Sequence, residues 1–114
     1  MNEIDLTEDQ AAFVLHTEAY WEAISIGNSE RANAESVLAD EVSGRWIDAG
    51  KIHDFVLPLL AHTSPAVRCA AATWLLRRGS HPKAIAVLER LKTEPVGLIG
   101  SAAELQLMLH RKKN

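Results

Sequence analysis

Apolar residues recur at intervals of three and four along almost the whole chain and never alternate over a strand's length. That spacing predicts helices throughout. Thr7 opens the first, where TEDQ forms a capping box with Gln10 reaching back, and the helix runs to about Ile26 on an apolar stripe of Phe13, Val14, Tyr20 or Trp21, and Ile24. Gly27-Asn28 ends it, and Ser29 is read as the cap of a second helix over roughly residues 30–48. There Ala34, Val37, Leu38, Val42 and Trp46 make the stripe, and Gly44 predicts a bend or break. A third helix is expected over 51–62, with Ile52, Phe55, Val56, Leu59 and Leu60 on one face and a kink at Pro58.

Ser64-Pro65 and Pro82 are start signals for a fourth helix, to about Arg78, and a fifth, to about Thr93. Gly79 stops the fourth, Ser80 or His81 caps the fifth, and Pro95 follows it. The sixth spans about 98–111 with Leu98, Ala102, Leu105 and Leu109 as its stripe. Residues 52–79 superpose on 84–111 with an offset of 32, so that Val56 meets Leu88, Leu59 meets Leu91, Ala70-Ala71 meets Ala102-Ala103, Leu75 meets Leu107 and Leu76 meets Met108. A helix-pair period of this length marks an α-solenoid. The expected fold is therefore all-α, a single domain over 1–114 built as a short solenoid of about three antiparallel helix pairs.

The stretch SPAVRCAAATWL resembles the second-helix signature of HEAT repeats, with Val67, Arg68, Ala71 and Leu75 in the places of that pattern. The next pair departs from it, because Ile99-Gly100 stands where Val-Arg stood, and residues 7–48 carry no such signature. The resemblance covers about half the chain. Over more of its length the chain resembles a family of short bacterial proteins with a HEAT-like fold, through RANAE (31–35), DAGKIHDFVLPLLAHTSPAVRCAAATWLL (48–76) and KAIAVLERL (83–91). That likeness implies a fold and no established activity or catalytic residue; some small HEAT-like bacterial proteins are thought to be immunity proteins against secreted toxins. It also implies a structural role for Arg68, bonding within and between repeats. Asn33, a polar residue between Ala32 and Ala34, is read as structural too, bonding a neighbouring backbone between helices.

Charge sharpens the picture. Residues 1–57 hold 12 Asp/Glu against 3 Lys/Arg, and residues 58–114 hold 3 against 9. Either acidic and basic helices attract one another within the fold, or the split steers partners. Glu18 and Glu22 lie at i, i+4 on the first helix; on the second, Asp40 and Glu41 fall within a turn of Val37-Leu38, with Glu35 further up. Without adjacent lysines such pairs repel mildly. They are either a solvated face or a negative patch that docks a basic protein. The basic half alone would suit nucleic acid, but the sequence pI is about 5.9, where nucleic-acid-binding domains lie above roughly 9, and no aromatics interleave its cations.

Chemistry-bearing motifs do not emerge. Cys69 is the single cysteine, and the histidines at 16, 53, 62, 81 and 110 form neither an i, i+4 pair nor a His-Glu-x-x-His motif. His62 and His81 flank the fourth helix, where helix-end histidines are usually solvated. There is no Gly-x-Ser-x-Gly elbow and no P-loop. Trp21, Trp46 and Trp74 fall near apolar stripes and are read as core. The opening residues lack the basic start and apolar run of a signal peptide, and no apolar run nears the ~20 residues of a membrane span. These features predict a cytoplasmic, non-enzymatic protein-binding module without cofactor, metal or membrane contact. In its sharper form it is an immunity protein neutralising a basic toxin; the alternative is an adaptor gripping a partner on a concave helical face.

Overall fold

The computed structural model describes residues 6–78, 81–94 and 97–113. Gly79, Ser80 and Pro95, read above as a stop, an alternative cap and a terminator, lie outside them, as do the first five residues. The elements are α1 (Glu8–Ser25), α2 (Ser29–Asp48), α3 (Ile52–Val56), a 3-10 helix (Leu57–Ala61), α4 (Pro65–Arg77), α5 (Pro82–Leu91) and α6 (Leu98–Lys113). Among the described residues there is no strand, so the chain is all-helical. The elements gather into two compact units, Met1–Phe55 and Val56–Asn114.

In the first unit α1 packs along α2. The Thr7 capping box forms as the sequence predicts: Thr7 Oγ1 accepts from the Gln10 amide at 3.1 Å, and Gln10 Oε1 accepts from the Thr7 amide at 2.9 Å. Gln10 is buried, and its Nε2 donates to the Phe55 carbonyl at 2.9 Å, so one side chain closes the helix start and ties down the end of the unit. Gly27 (φ +74°) and Gly50 (φ +70°) take the left-handed conformation that ends α1 and α2. At each end two bonds satisfy the last carbonyls: Asn28 N–H to Ala23 O and Gly27 N–H to Ile24 O, then Lys51 N–H to Trp46 O and Gly50 N–H to Ile47 O. The cap of α2 is Asn28, not Ser29: Asn28 Oδ1 accepts from the Arg31 amide at 3.0 Å. The backbone turn already places Asn28 one residue before the helix, where a carboxamide is as good an acceptor as a hydroxyl. α2 passes through Gly44 without a break.

Trp46 is the centre of this unit. Its ring lies 5.4 Å from that of Phe13 and 5.3 Å from that of Phe55, the latter stacked at 25°. Such aromatic pairs contribute about 0.5–1.5 kcal/mol beyond their burial. Val14, Thr17, Ala23, Ala32, Val42 and Ser43 are also buried in this unit. Tyr20, Trp21 and Ile24 are half-buried. The α2 stripe read from the sequence is corrected. Val42 and Trp46 face the core, but Ala34, Val37 and Leu38 are exposed, and the buried row runs instead through Ala32, Val42, Ser43 and Trp46.

In the second unit α4 is the hub, packing against the 3-10 helix, α5 and α6. Its Ala66, Val67, Cys69, Ala71, Ala72, Leu75 and Leu76 are buried. Small residues here let neighbouring backbones approach closely. Pro58 does more than kink the third helix: α-helix ends at Val56 and a 3-10 helix carries the chain through Leu57–Ala61. Proline cannot donate the amide bond to the residue four back, and its ring crowds that carbonyl, so the tighter helix takes over. The apolar register survives, with Val56 and Leu59 fully buried.

Ser64 sits at the cap of α4 without a side-chain cap bond; its amide instead donates to His62 Nδ1 at 3.0 Å. At α5 His81 is the cap, with Nδ1 accepting from the Lys83 amide at 3.2 Å. The offset of 32 is mirrored in burial. Val56 and Leu88, Leu59 and Leu91, Ala71 and Ala103, and Leu75 and Leu107 are all buried, while Leu76 is buried and Met108 is 46% exposed. The α6 stripe is corrected as well. Leu98, Leu105 and Leu109 are exposed, and α6 turns Gly100, Ala103 and Leu107 inward. A β-carbon at Gly100 would stand 3.3 Å from the Leu91 carbonyl oxygen, so this is the side of α6 that can approach α5 most closely.

Leu88→Ala should cost about 2–5 kcal/mol, because the side chain is fully buried in a close-packed unit that cannot collapse onto the space. Urea unfolding followed by circular dichroism measures it. A loss below about 0.5 kcal/mol would contradict the packing of α5.

Candidate protein-docking surface

One face of α2 sets apolar side chains among carboxylates. Glu30, Ala34, Val37 and Glu41 follow one another at steps of four, three and four, Leu38 lies four residues past Ala34, and all five are exposed. Val37 is 57% and Leu38 39% exposed, and Asp40 is exposed beside them. α2 packs along α1, and through Trp46 it also meets Phe55 of α3. Both contacts lie on the stripe that carries Trp46, whose burial removes more apolar area from water, and the other stripe is left exposed.

The five acidic residues singled out from the sequence fare differently. Glu18, Asp40 and Glu41 are exposed, with no hydrogen-bond or ion-pair partner for their carboxylates among the described residues. Glu22 is exposed and pairs with Arg31 at 3.3 Å. Glu35 is half-buried, and its Oε1 lies 2.7 Å from His16 Nδ1. It is therefore a cross-link between α1 and α2 and not part of an open patch. At the same time Asp9, near the start of α1, pairs with Arg45 at 3.0 Å. Asp40 and Glu41 are the two that the fold brings beside exposed apolar side chains. Val37 and Leu38 are the site residues that sequence reasoning assigned to the core. The signal that could have found them is the competing row through Ala32, Val42, Ser43 and Trp46, which leaves 34, 37 and 38 on another side of the helix.

Asn33 is exposed, with no side-chain hydrogen bond among the described residues, and lies next to the outward row of α2. Arg68 is half-buried, with Nη2 3.5 Å from Glu94 Oε2, just past the end of α5, and its Nε buried without a partner. Trp46 is buried, Trp21 and Trp74 half-buried, and the Arg77 guanidinium lies 5.9 Å from the Trp74 ring centroid.

Compared with known proteins, the chain matches no protein-family model, no curated protein and no solved structure. The HEAT-like reading therefore rests on the residues quoted for it.

Two grooves lie in the second unit. One, of about 320 Å³, runs between α4 and α6 over Leu76 and Leu109, with Arg77 and Lys112 on its rim. The other, of about 370 Å³, lies between the 3-10 helix and α5, floored by Leu57, Leu60 and Val87. Among the described residues no group of three His, Cys, Asp or Glu could hold a metal ion, and no helix is long and apolar enough to cross a membrane. Cys69 is buried, and burial pushes its thiol pKa up against a smaller opposing pull from a hydrogen bond with Thr73.

Two outcomes follow from this placement. Val37→Ser with Leu38→Ser should change stability by less than about 1 kcal/mol in urea unfolding, because surface changes away from packed features have small effects; Trp46→Ala should cost about 3–5 kcal/mol. The reverse order would return the Ala34–Leu38 stripe to the core. The raised pKa and burial of Cys69 keep its thiolate scarce near neutral pH. Ellman's reagent should therefore label the folded chain far more slowly than the urea-unfolded chain, and equal rates would contradict the burial.

Proposed function

We propose that the chain is a non-enzymatic protein-binding module that docks a basic protein on the outward face of α2. The observation that carries this reading is the exposed Val37–Leu38 pair beside Asp40 and Glu41, carboxylates with no partner among the described residues. An apolar centre with a charged surround is the anatomy of a protein interface: the apolar part supplies affinity and the charges supply steering and selection. Glu18, exposed on α1, adds to the same sign of field. In the sharper form the module is an immunity protein, and the basic partner is a toxin whose charged surface it covers.

The fold reading that goes with this function is a short HEAT-like solenoid of antiparallel helix pairs. Matched burial across the offset of 32 supports two such pairs in the second unit, and Arg68 reaching Glu94 fits the structural role that the resemblance assigns to it. Cytoplasmic placement belongs to the same proposal.

The test is affinity capture from a lysate of the native cells at low and high salt, comparing the chain with its Asp40→Lys/Glu41→Lys variant. A stoichiometric basic protein, held by the chain, weakened by salt and lost to the variant, is the expected result. Capture of nothing, or of a partner that ignores both salt and the variant, would overturn the α2 face as its dock.

A further inference from the structure

The basic groove of the second unit complements the α2 face in charge. It is lined by Leu76 and Leu109, the latter 46% exposed, by Gln106 and His110, and by the exposed cations Arg77 and Lys112. Neither cation has a carboxylate within ion-pair distance among the described residues, although Arg77 rests on the Trp74 ring. Among the described residues no Asp or Glu lines the groove. An apolar trough edged by unpaired cations fits an apolar ridge edged by unpaired carboxylates. The exposed row Glu30, Ala34, Val37, Leu38 and Glu41, with Asp40 beside it, is such a ridge.

We propose that the groove between α4 and α6 receives the α2 face of a second copy of this chain, with Val37 and Leu38 over Leu76 and Leu109, and Asp40 and Glu41 against Arg77 and Lys112. The contact is heterologous, since two different surfaces meet. Each copy keeps one free face of each kind, and the assembly grows with concentration unless the geometry closes it into a ring. Exposed ion pairs contribute modestly each, so the contact is weak and salt-sensitive. This inference rests on the reading of the α2 face as a docking surface and names one occupant for it.

Sedimentation velocity over a concentration series reaching the millimolar range tests it. The wild-type chain is expected to associate, and added salt to reverse the association. Asp40→Lys/Glu41→Lys and Arg77→Glu/Lys112→Glu should each raise the apparent dissociation constant about tenfold or more. All four side chains are exposed, so both variants should keep the circular dichroism spectrum and urea midpoint of the wild type. Mixing the two variants should restore association, because each then meets a face of opposite sign. A wild-type chain that stays monomeric throughout would overturn the proposal. So would association that both variants retain, which would move the contact to another surface such as Leu98 and Leu105 of α6, or variants that fail to rescue each other. A monomeric chain that still captures a basic protein through Asp40 and Glu41 would sink this inference alone and leave the proposed function standing.

Discussion

Which apolar stripe of a helix is buried depends on how many neighbours that helix has, and this constraint organises both units. α4 packs against three elements, and most of its apolar residues from Ala66 to Leu76 are buried, with Ala70 and Trp74 half-buried. α2 packs against α1 and, through Trp46, against Phe55 of α3, and α6 packs against α4 and α5. Each of those two helices carries more apolar positions than its neighbours can cover. The surplus stands in solvent as Val37 and Leu38 on one helix and Leu98, Leu105 and Leu109 on the other. Scattered exposed leucines need no explanation, but stripes at helical spacing do, because water gains from their removal wherever a partner can supply the missing face.

The same constraint explains what could be read in the sequence. Local chemistry was legible. The Thr7–Gln10 capping box, the Gly27 and Gly50 helix ends and the Pro65 and Pro82 starts follow from atoms a few residues apart. The offset of 32 is matched in burial at Val56 and Leu88, Leu59 and Leu91, Ala71 and Ala103, and Leu75 and Leu107. The stripes of α2 and α6 were not legible. Ala34, Val37 and Leu38 have faultless helical spacing, and so do Leu98, Leu105 and Leu109, but spacing says only that a face exists. Whether it is covered depends on the neighbours, which periodicity does not contain. The Pro58 segment differs for another reason: a continued apolar register predicts an α-helix kinked at the proline, and a 3-10 helix serves that register as well.

The candidate site divides in the same way. Asp40 and Glu41 were visible as acidic residues near Val37 and Leu38, and the fold keeps the four together. Glu35 shares their helix but sits over α1, where His16 meets it at 2.7 Å. One turn of difference in facing converts a surface charge into a cross-link. His62 and His81 show the parallel outcome at helix starts, where each gives Nδ1 to a backbone amide. Charge alone therefore overstates the candidate set, and the fold reduces it to the exposed carboxylates with no partner among the described residues.

What remains after that reduction is a pair of complementary surfaces on one polypeptide, an acidic ridge on α2 and a basic trough between α4 and α6. If the ridge docks a basic protein and also fits the trough of a second copy, the two partners compete for one face. Self-association is then a store: it covers Val37 and Leu38 while the basic partner is scarce and gives them up as that partner accumulates. Linkage makes this quantitative, because a ligand shifts the equilibrium only by its differential affinity for the free face. A weak self-contact suits such a store. A tight one would hold the ridge against the partner, and the exposed, singly paired charges on both surfaces keep the self-contact on the weak side.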